Sequence, residues 1–383
     1  MLSMVRRFYA LILSALLSML LCADAAEFPY KAKTDCAYGT YGCNRCVSDV
    51  VRTYREENSG AREFRGMYRF RMTGKTSLNG KRPHALHFID GHIQGITRLA
   101  GVGDDNWVMM SRSTQTMGES GLLLVRFDGI NSKGEAWEYS SKKSRRTQSY
   151  YYYKSEEINH GGGLQALGGL VFVGGECSNW RDCLGRVDIY DARDPGKFQL
   201  LNRLLIDGSQ GELRDDQGRE VISKVAAVAA AKLSDGRTLL FAGGAGSSKS
   251  GWLFISDSSE IGPKTKWRYL DYWHNSEREN GDPWHGIENL NFISECGTGD
   301  LYLMGMGEQN RAYLYKLVQA ASNLDEKVQI NFVYQHGLQL NTSLLGAYLR
   351  MGGGVHITPQ GKMVIYAVSR VGRKIEEFFT PFL

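Results

Sequence analysis

Apolar residues in this chain come in short runs bounded by Gly, Asn, Asp and Ser, the pattern of β-strands joined by turns rather than of long helices. The runs recur as a unit made of a polar or basic residue, a small-residue approach, an apolar strand, a turn and a second strand. The motif His92-Ile-Gln-Gly-Ile leads to Trp107-Val-Met-Met, and His160-Gly-Gly-Gly-Leu leads to Leu170-Val-Phe-Val. Val225-Ala-Ala-Val leads to Leu239-Leu-Phe-Ala, His285-Gly-Ile to Leu301-Tyr-Leu-Met, and Gly352-Gly-Gly-Val to Met363-Val-Ile-Tyr. Val108, Val171, Leu239, Tyr302 and Val364 are equivalent second-strand positions, and they recur about every 64 residues.

A third strand follows in most units, as in Leu122-Leu-Leu-Val-Arg-Phe, Arg186-Val-Asp-Ile-Tyr, Trp252-Leu-Phe-Ile and Ala312-Tyr-Leu-Tyr. A fourth is visible at residues 200–206 and 329–334. Short strands in sets of four, repeated radially, describe an all-β fold, the β-propeller, here with five four-stranded blades after about residue 61. A β-sandwich or six irregular blades are the competing arrangements. The last unit is short by a strand, and the alternating piece Gly66-Met-Tyr-Arg-Phe-Arg-Met would supply it, closing the ring and removing open sheet edges.

Residues before the repeat read differently. Residues 1–26 carry Arg6 and Arg7, then an apolar stretch, then the small-residue exit Ala23-Asp24-Ala25, which fits a secretory signal with cleavage near Ala26. The apolar stretch is shorter than the ~20 residues a spanning helix needs. The expected organisation is a signal at 1–25, a cysteine-containing N-terminal cap at 26–60 with a short helix near residues 47–57, and a propeller at 61–383. A periplasmic or secreted location follows, with no membrane span after signal cleavage.

Six cysteines then remain: Cys36, Cys43, Cys46, Cys177, Cys183 and Cys296. An even number in an oxidising compartment reads as disulfides. Cys177 and Cys183 lie close enough for a local bridge. Three cysteines within residues 36–46 require one long-range partner, most simply Cys296, or leave one free thiol. Cys43-Asn-Arg-Cys46 also has the spacing of redox and metal motifs, but no second such pair exists to complete a zinc site.

The 383 residues include 45 Gly against 7 Pro, and 46 Lys and Arg against 41 Asp and Glu. The near balance of charge argues against nucleic acid as a partner. The basic, tyrosine-rich stretch at residues 142–153 reads as a charged turn followed by an outer strand rather than a stacking surface for bases.

The run His160-Gly-Gly-Gly-Leu-Gln-Ala-Leu-Gly-Gly-Leu-Val-Phe-Val, followed by Arg186-Val-Asp-Ile-Tyr-Asp-Ala-Arg-Asp-Pro, resembles the blade repeats of exported bacterial β-propellers with LVIVD-type repeats. The resemblance implies a fold and an exported location. It implies no single activity and no catalytic residue.

In a propeller the innermost strands line the axis, so residues at the same point of each repeat converge. His92, His160, Lys224, His285 and Arg350 hold the leading position, with Gln94, Asn159 and Glu288 beside them. Imidazoles with Glu288 could hold a divalent metal. Only one carboxylate is in view, however, and a Lys and an Arg oppose a metal's charge, so an anion site is favoured and no metal ligand is assigned. His84, His87, His274, His336 and His356 lie outside this register and read as structural or exposed. The chain has no phosphate-cradling loop, HExxH, EF-hand loop or nucleophile elbow.

The sequence therefore predicts a binding or interaction module whose axial pocket receives a small anionic ligand or an anionic group of a protein partner. A hydrolase or lyase with His160 or His285 as acid or base is the second reading. A scaffold with an inert channel is the third. No cofactor can be named.

Overall fold

The computed structural model describes residues 27–60, 67–69, 91–103, 107–114, 120–127, 147–155, 160–176, 185–206, 225–244, 250–274, 287–307, 311–319, 330–339, 347–369 and 374–379. Among the described residues one helix, α1 (Val50–Gly60), precedes the strands β1 (Met67–Arg69), β2 (Gly91–Arg98), β3 (Trp107–Thr114), β4 (Ser120–Phe127) and β5 (Thr147–Ser155). Then come β6 (His160–Leu167), β7 (Leu170–Glu176), β8 (Gly185–Asp191), β9 (Gln199–Ile206), β10 (Val225–Lys232), β11 (Thr238–Gly244), β12 (Ser250–Ser256) and β13 (Trp267–His274). The chain ends with β14 (Asn289–Ser294), β15 (Leu301–Met306), β16 (Arg311–Gln319), β17 (Ile330–Gln339), β18 (Ala347–Ile357), β19 (Met363–Ser369) and β20 (Lys374–Phe379).

The strands pair antiparallel in the sets β2 to β5, β6 to β9, β10 to β13, β14 to β17, and β18, β19, β20, β1. In the last set β1, from the start of the chain, supplies the outer strand, with Met67 opposite Glu376. The first strands β2, β6, β10, β14 and β18 adjoin one another in chain order, and β18 returns to β2 through the parallel pair Gly353 and Gly95. The fold is an all-β propeller.

Expecting five separate four-stranded blades requires one correction. Hydrogen bonding joins the strands into three sheets, one of 12 strands and two of four. The inner strands come so close that the Gly353–Gly95 pair and a bridge between Ser113 of β3 and His160 of β6 fuse neighbouring sets.

The continuous apolar runs follow from burial on both faces of a sheet. In β11, Leu239 and Phe241 pack with Leu253, Leu290, Leu303 and Tyr315 on one side, while Leu240 and Ala242 pack with Phe172, Val187 and Trp252 on the other. Each such fully buried side chain contributes about 1.5–3 kcal/mol. The outer strand β9 alternates instead, leaving Leu200 and Leu205 exposed.

The N-terminal segment lies across one end of the ring, where first and second strands turn. Gly42 N–H donates to Leu167 O, Lys33 N–H to Lys232 O, Ala32 N–H to Gly299 O and Val47 N–H to Ser294 O. Gly39 and Gly101, both at positive φ, abut so closely that a Cβ on Gly101 would sit 2.4 Å from Gly39 O. Asp49 caps α1 by accepting the Arg52 N–H at 2.8 Å, so the helix starts slightly later than the sequence suggests. Val50 and Tyr54 of α1 are fully buried against β14, β15 and β19 residues.

Two disulfides hold this segment. Cys36 bonds to Cys43, and Cys46 bonds to Cys296 across a sequence separation of 250. The CxxC cysteines thus pair with other partners and not with each other. Cys177 and Cys183 lie outside the described residues.

Candidate functional site

The axis is narrowest at a layer of glycines. A Cβ on Gly95 would lie 2.9 Å from Gly163 Cα, one on Gly163 would lie 2.8 Å from Glu288 O, and one on Gly354 would lie 1.8 Å from Ile96 O. Here the triple-glycine motifs are required by backbone packed on backbone, and no side chain larger than hydrogen fits. Asn289 of β14, an inner strand without glycine, directs Oδ1 to 3.2 and 3.0 Å from the carbons that would be added at Gly95 and Gly163.

This layer divides the axis into two ends. Toward the starts of the inner strands, His92 precedes Gly95 by three positions, His160 precedes Gly163 by three, and Arg350 precedes Gly353 by three. Gly95 and Gly353 are partners in the single parallel pair that joins β2 to β18. His92 and His160 share one partner, because Ser113 of β3 is opposite His92 on one side and opposite His160 on the other. His160 is in turn opposite Glu176 of β7. The register therefore forms one row, His92, Ser113, His160, Glu176, across four neighbouring strands.

Ser113 is fully buried, and its Oγ makes no hydrogen bond with a described residue. Gln94 is buried beside a bulge in β2. Glu288 is half-buried, with its N–H donating to Met306 O. Lys224 and His285, at the equivalent starts of β10 and β14, lie outside the described residues. No three His, Cys, Asp or Glu residues gather as a metal site among the described residues.

Toward the other end the axis is filled. Gln165 of β6 accepts the N–H of Ala230 and of Phe292 at its Oε1, at 2.8 and 2.9 Å, and its Nε2 donates to Phe292 O at 2.9 Å. One side chain thus satisfies backbone groups of β10 and β14. Beyond it lies the cap, touching the turns that end each inner strand. The starts of the inner strands lie at the opposite end of the ring from the cap.

Sequence reasoning did not single out Gln165, Ser113, Arg98 or His356. Gln165, Thr97 with Arg98, and His356 are polar interruptions of apolar inner strands, two or three positions past the glycine layer. That placement was the available signal. The basic, tyrosine-rich stretch becomes, in its described part, β5, which pairs only with β4 at the outside of its set.

No known protein family matches the chain, and no curated protein matches it. The LVIVD-type resemblance thus finds no family support. Among solved structures, the chain is similar to a bifunctional GH43-CE protein of Bacteroides eggerthii, with 14% identity over 76% of this chain and a TM-score of 0.36. The match spans about a third of that protein, 33%. It is also similar to a structure described as a BT0996 RGII complex, with 10% identity over 87% of this chain and 95% of that one, at a TM-score of 0.37. At these scores the likeness identifies no function, and the propeller assignment rests on the strand pairing itself.

Proposed function

We propose that the protein is an exported propeller that binds a small anionic ligand, or an anionic group of a larger partner, at the end of the ring opposite the cap. His92, His160, Lys224, His285 and Arg350 supply hydrogen-bond donors and positive charge, with Gln94 and Glu288 beside them. The observation that carries this reading is the backbone row in which Ser113 lies opposite both His92 and His160, with Arg350 three positions before Gly353, the partner of Gly95. The disulfides fit an oxidising, periplasmic or extracellular location. No helix among the described residues is long and apolar enough to cross a membrane.

The test is a thermal-shift screen of the mature protein against sulfate, phosphate, acetate and divalent metals, repeated with His160→Ala and His285→Ala. A ligand at 100 times its Kd stabilises by about 2.7 kcal/mol. Stabilisation by an anion that disappears in both variants supports the site. Equal responses in all three proteins eliminate it and favour a scaffold with an inert axis.

A second reading, hydrolysis, is supported by one specific feature: Glu176 opposite His160, with Ser113 on the other side. Nucleophile, base and orienting carboxylate need that order. Ester hydrolysis abolished by His160→Ala and strongly reduced by Glu176→Gln would select the enzyme over the binder.

A further inference from the structure

The Cys43-Asn44-Arg45-Cys46 motif plays no part in the anion site at the other end of the ring. Its two cysteines stand three positions apart, yet each is bonded elsewhere. Cys43 pairs with Cys36 inside the cap, across a separation of 7. Cys46 pairs with Cys296, in the turn between β14 and β15, across a separation of 250. The four residues differ in access. Cys36, Cys43 and Cys46 are 7%, 4% and 6% exposed, whereas Cys296 is half-buried, so the ring end of the long bridge is the one an external thiol can reach.

Attack at Cys296 expels Cys46 as a thiolate into a poor setting for charge. Cys46 is buried, and its Sγ lies 3.2 Å from the Thr34 carbonyl oxygen, so burial and the carbonyl dipole both oppose a negative sulfur there. Cys43 offers a way out, because two intervening residues keep it at high effective concentration. No helix or strand holds residues 43–46, and Cys43, Asn44 and Arg45 border a cavity of about 20 Å³.

We propose that the two bridges form a redox relay: a dithiol reductant opens Cys46–Cys296, and Cys46 then attacks Cys43, leaving a Cys43–Cys46 bridge with Cys36 and Cys296 as thiols. First a reductant sulfur bonds to Cys296 Sγ, and the electron pair of the broken bond goes to Cys46. The Cys46 thiolate then bonds to Cys43 Sγ and expels Cys36 as a thiolate. The second reductant sulfur displaces Cys296 and closes the reductant's own disulfide. Both protons of the dithiol end on Cys36 and Cys296, the dithiol gives up two electrons, and two protein disulfides become one. The cap is then joined to this turn only by backbone hydrogen bonds, Val47 N–H to Ser294 O and Cys296 N–H to Val47 O.

Dithiothreitol serves as the probe. Mature, disulfide-intact protein is exposed to limiting dithiothreitol without denaturant, trapped with N-ethylmaleimide and mapped as peptides, with Cys177 and Cys183 read separately. The expected species carries a Cys43–Cys46 link and maleimide on Cys36 and Cys296, and it precedes full reduction. In that trapped species the Val47 and Cys296 amides should exchange with deuterium at least about tenfold faster, while those of β11 are unchanged. Cys36→Ser is the second arm, because it leaves Cys43 as a thiol from the start. Without any reductant it should yield the Cys43–Cys46 link and maleimide on Cys296. Wild type that passes to four free thiols with no Cys43–Cys46 link, or Cys36→Ser protein with maleimide on Cys43 and an intact Cys46–Cys296 bridge, would overturn the relay. If Cys36→Ser does not fold, the wild-type peptide map decides.

Discussion

Replacing Gln165 by Leu removes a side chain that serves three backbone groups at once: the N–H of Ala230, and the N–H and C=O of Phe292. All three are buried: Gln165 is 3% exposed, and Ala230 and Phe292 are buried with it. Each buried polar group left without a partner costs about 1–3 kcal/mol, so the three together cost roughly 3–9 kcal/mol, partly offset by the greater apolarity of leucine. Gln165→Glu sharpens the test. Its carboxylate still accepts both N–H groups but turns an oxygen toward Phe292 O, so it should be destabilised in a pH-dependent way and recover when protonated. Urea unfolding of both variants, with unchanged m-values, reads the difference. A loss below about 1 kcal/mol for the leucine variant would mean that this residue does not join β6 to β10 and β14, and the packing of inner strands about the axis would be wrong.

Further outcomes follow from the capped end. His356 has a folded-state pKa below its unfolded value, so its contribution is complete above pH about 6.5 and is lost as pH falls, by at most about 1.4 kcal/mol per unit. Among the described residues, Arg98 and Tyr38 face it. His356→Gln should therefore flatten the stability profile between pH 6.5 and 5, and an unchanged slope would exclude a buried neutral imidazole. For the disulfides, chain entropy gives about 5 kcal/mol for Cys46–Cys296, with a separation of 250, and about 2.5 kcal/mol for Cys36–Cys43, with a separation of 7. Paired Ser substitutions followed by urea melts should rank them in that order, and the reverse order would contradict the cap's attachment through Cys46.

The repeat and its strands were legible because burial on both faces writes itself into unbroken apolar runs such as residues 239–242, and because the period brings them back at fixed intervals. Pairing of β1 with β20 was legible from a missing strand. Fusion of neighbouring sets was not, since it depends on how closely Gly95, Gly163 and Gly353 approach in space. The partner of the third N-terminal cysteine stayed open between Cys296 and a free thiol for the same reason. At the axis, His92, His160 and Arg350 were singled out through equivalence between repeats. Gln165 was missed because its partners Ala230 and Phe292 lie on other inner strands, and His356 because the Tyr38 that meets it belongs to a cap whose docking no periodicity encodes.

The central claim is that residues from separate inner strands form one anion site at the uncapped end. A double-mutant cycle measures this most directly, with sulfate affinity determined by calorimetry for wild type, His160→Ala, Arg350→Ala and the double variant. The account predicts that each single variant weakens binding and that the two losses are non-additive by about 0.5–3 kcal/mol, as for groups around one ligand. Sulfate binding unchanged in both single variants, or losses that simply add, would contradict it.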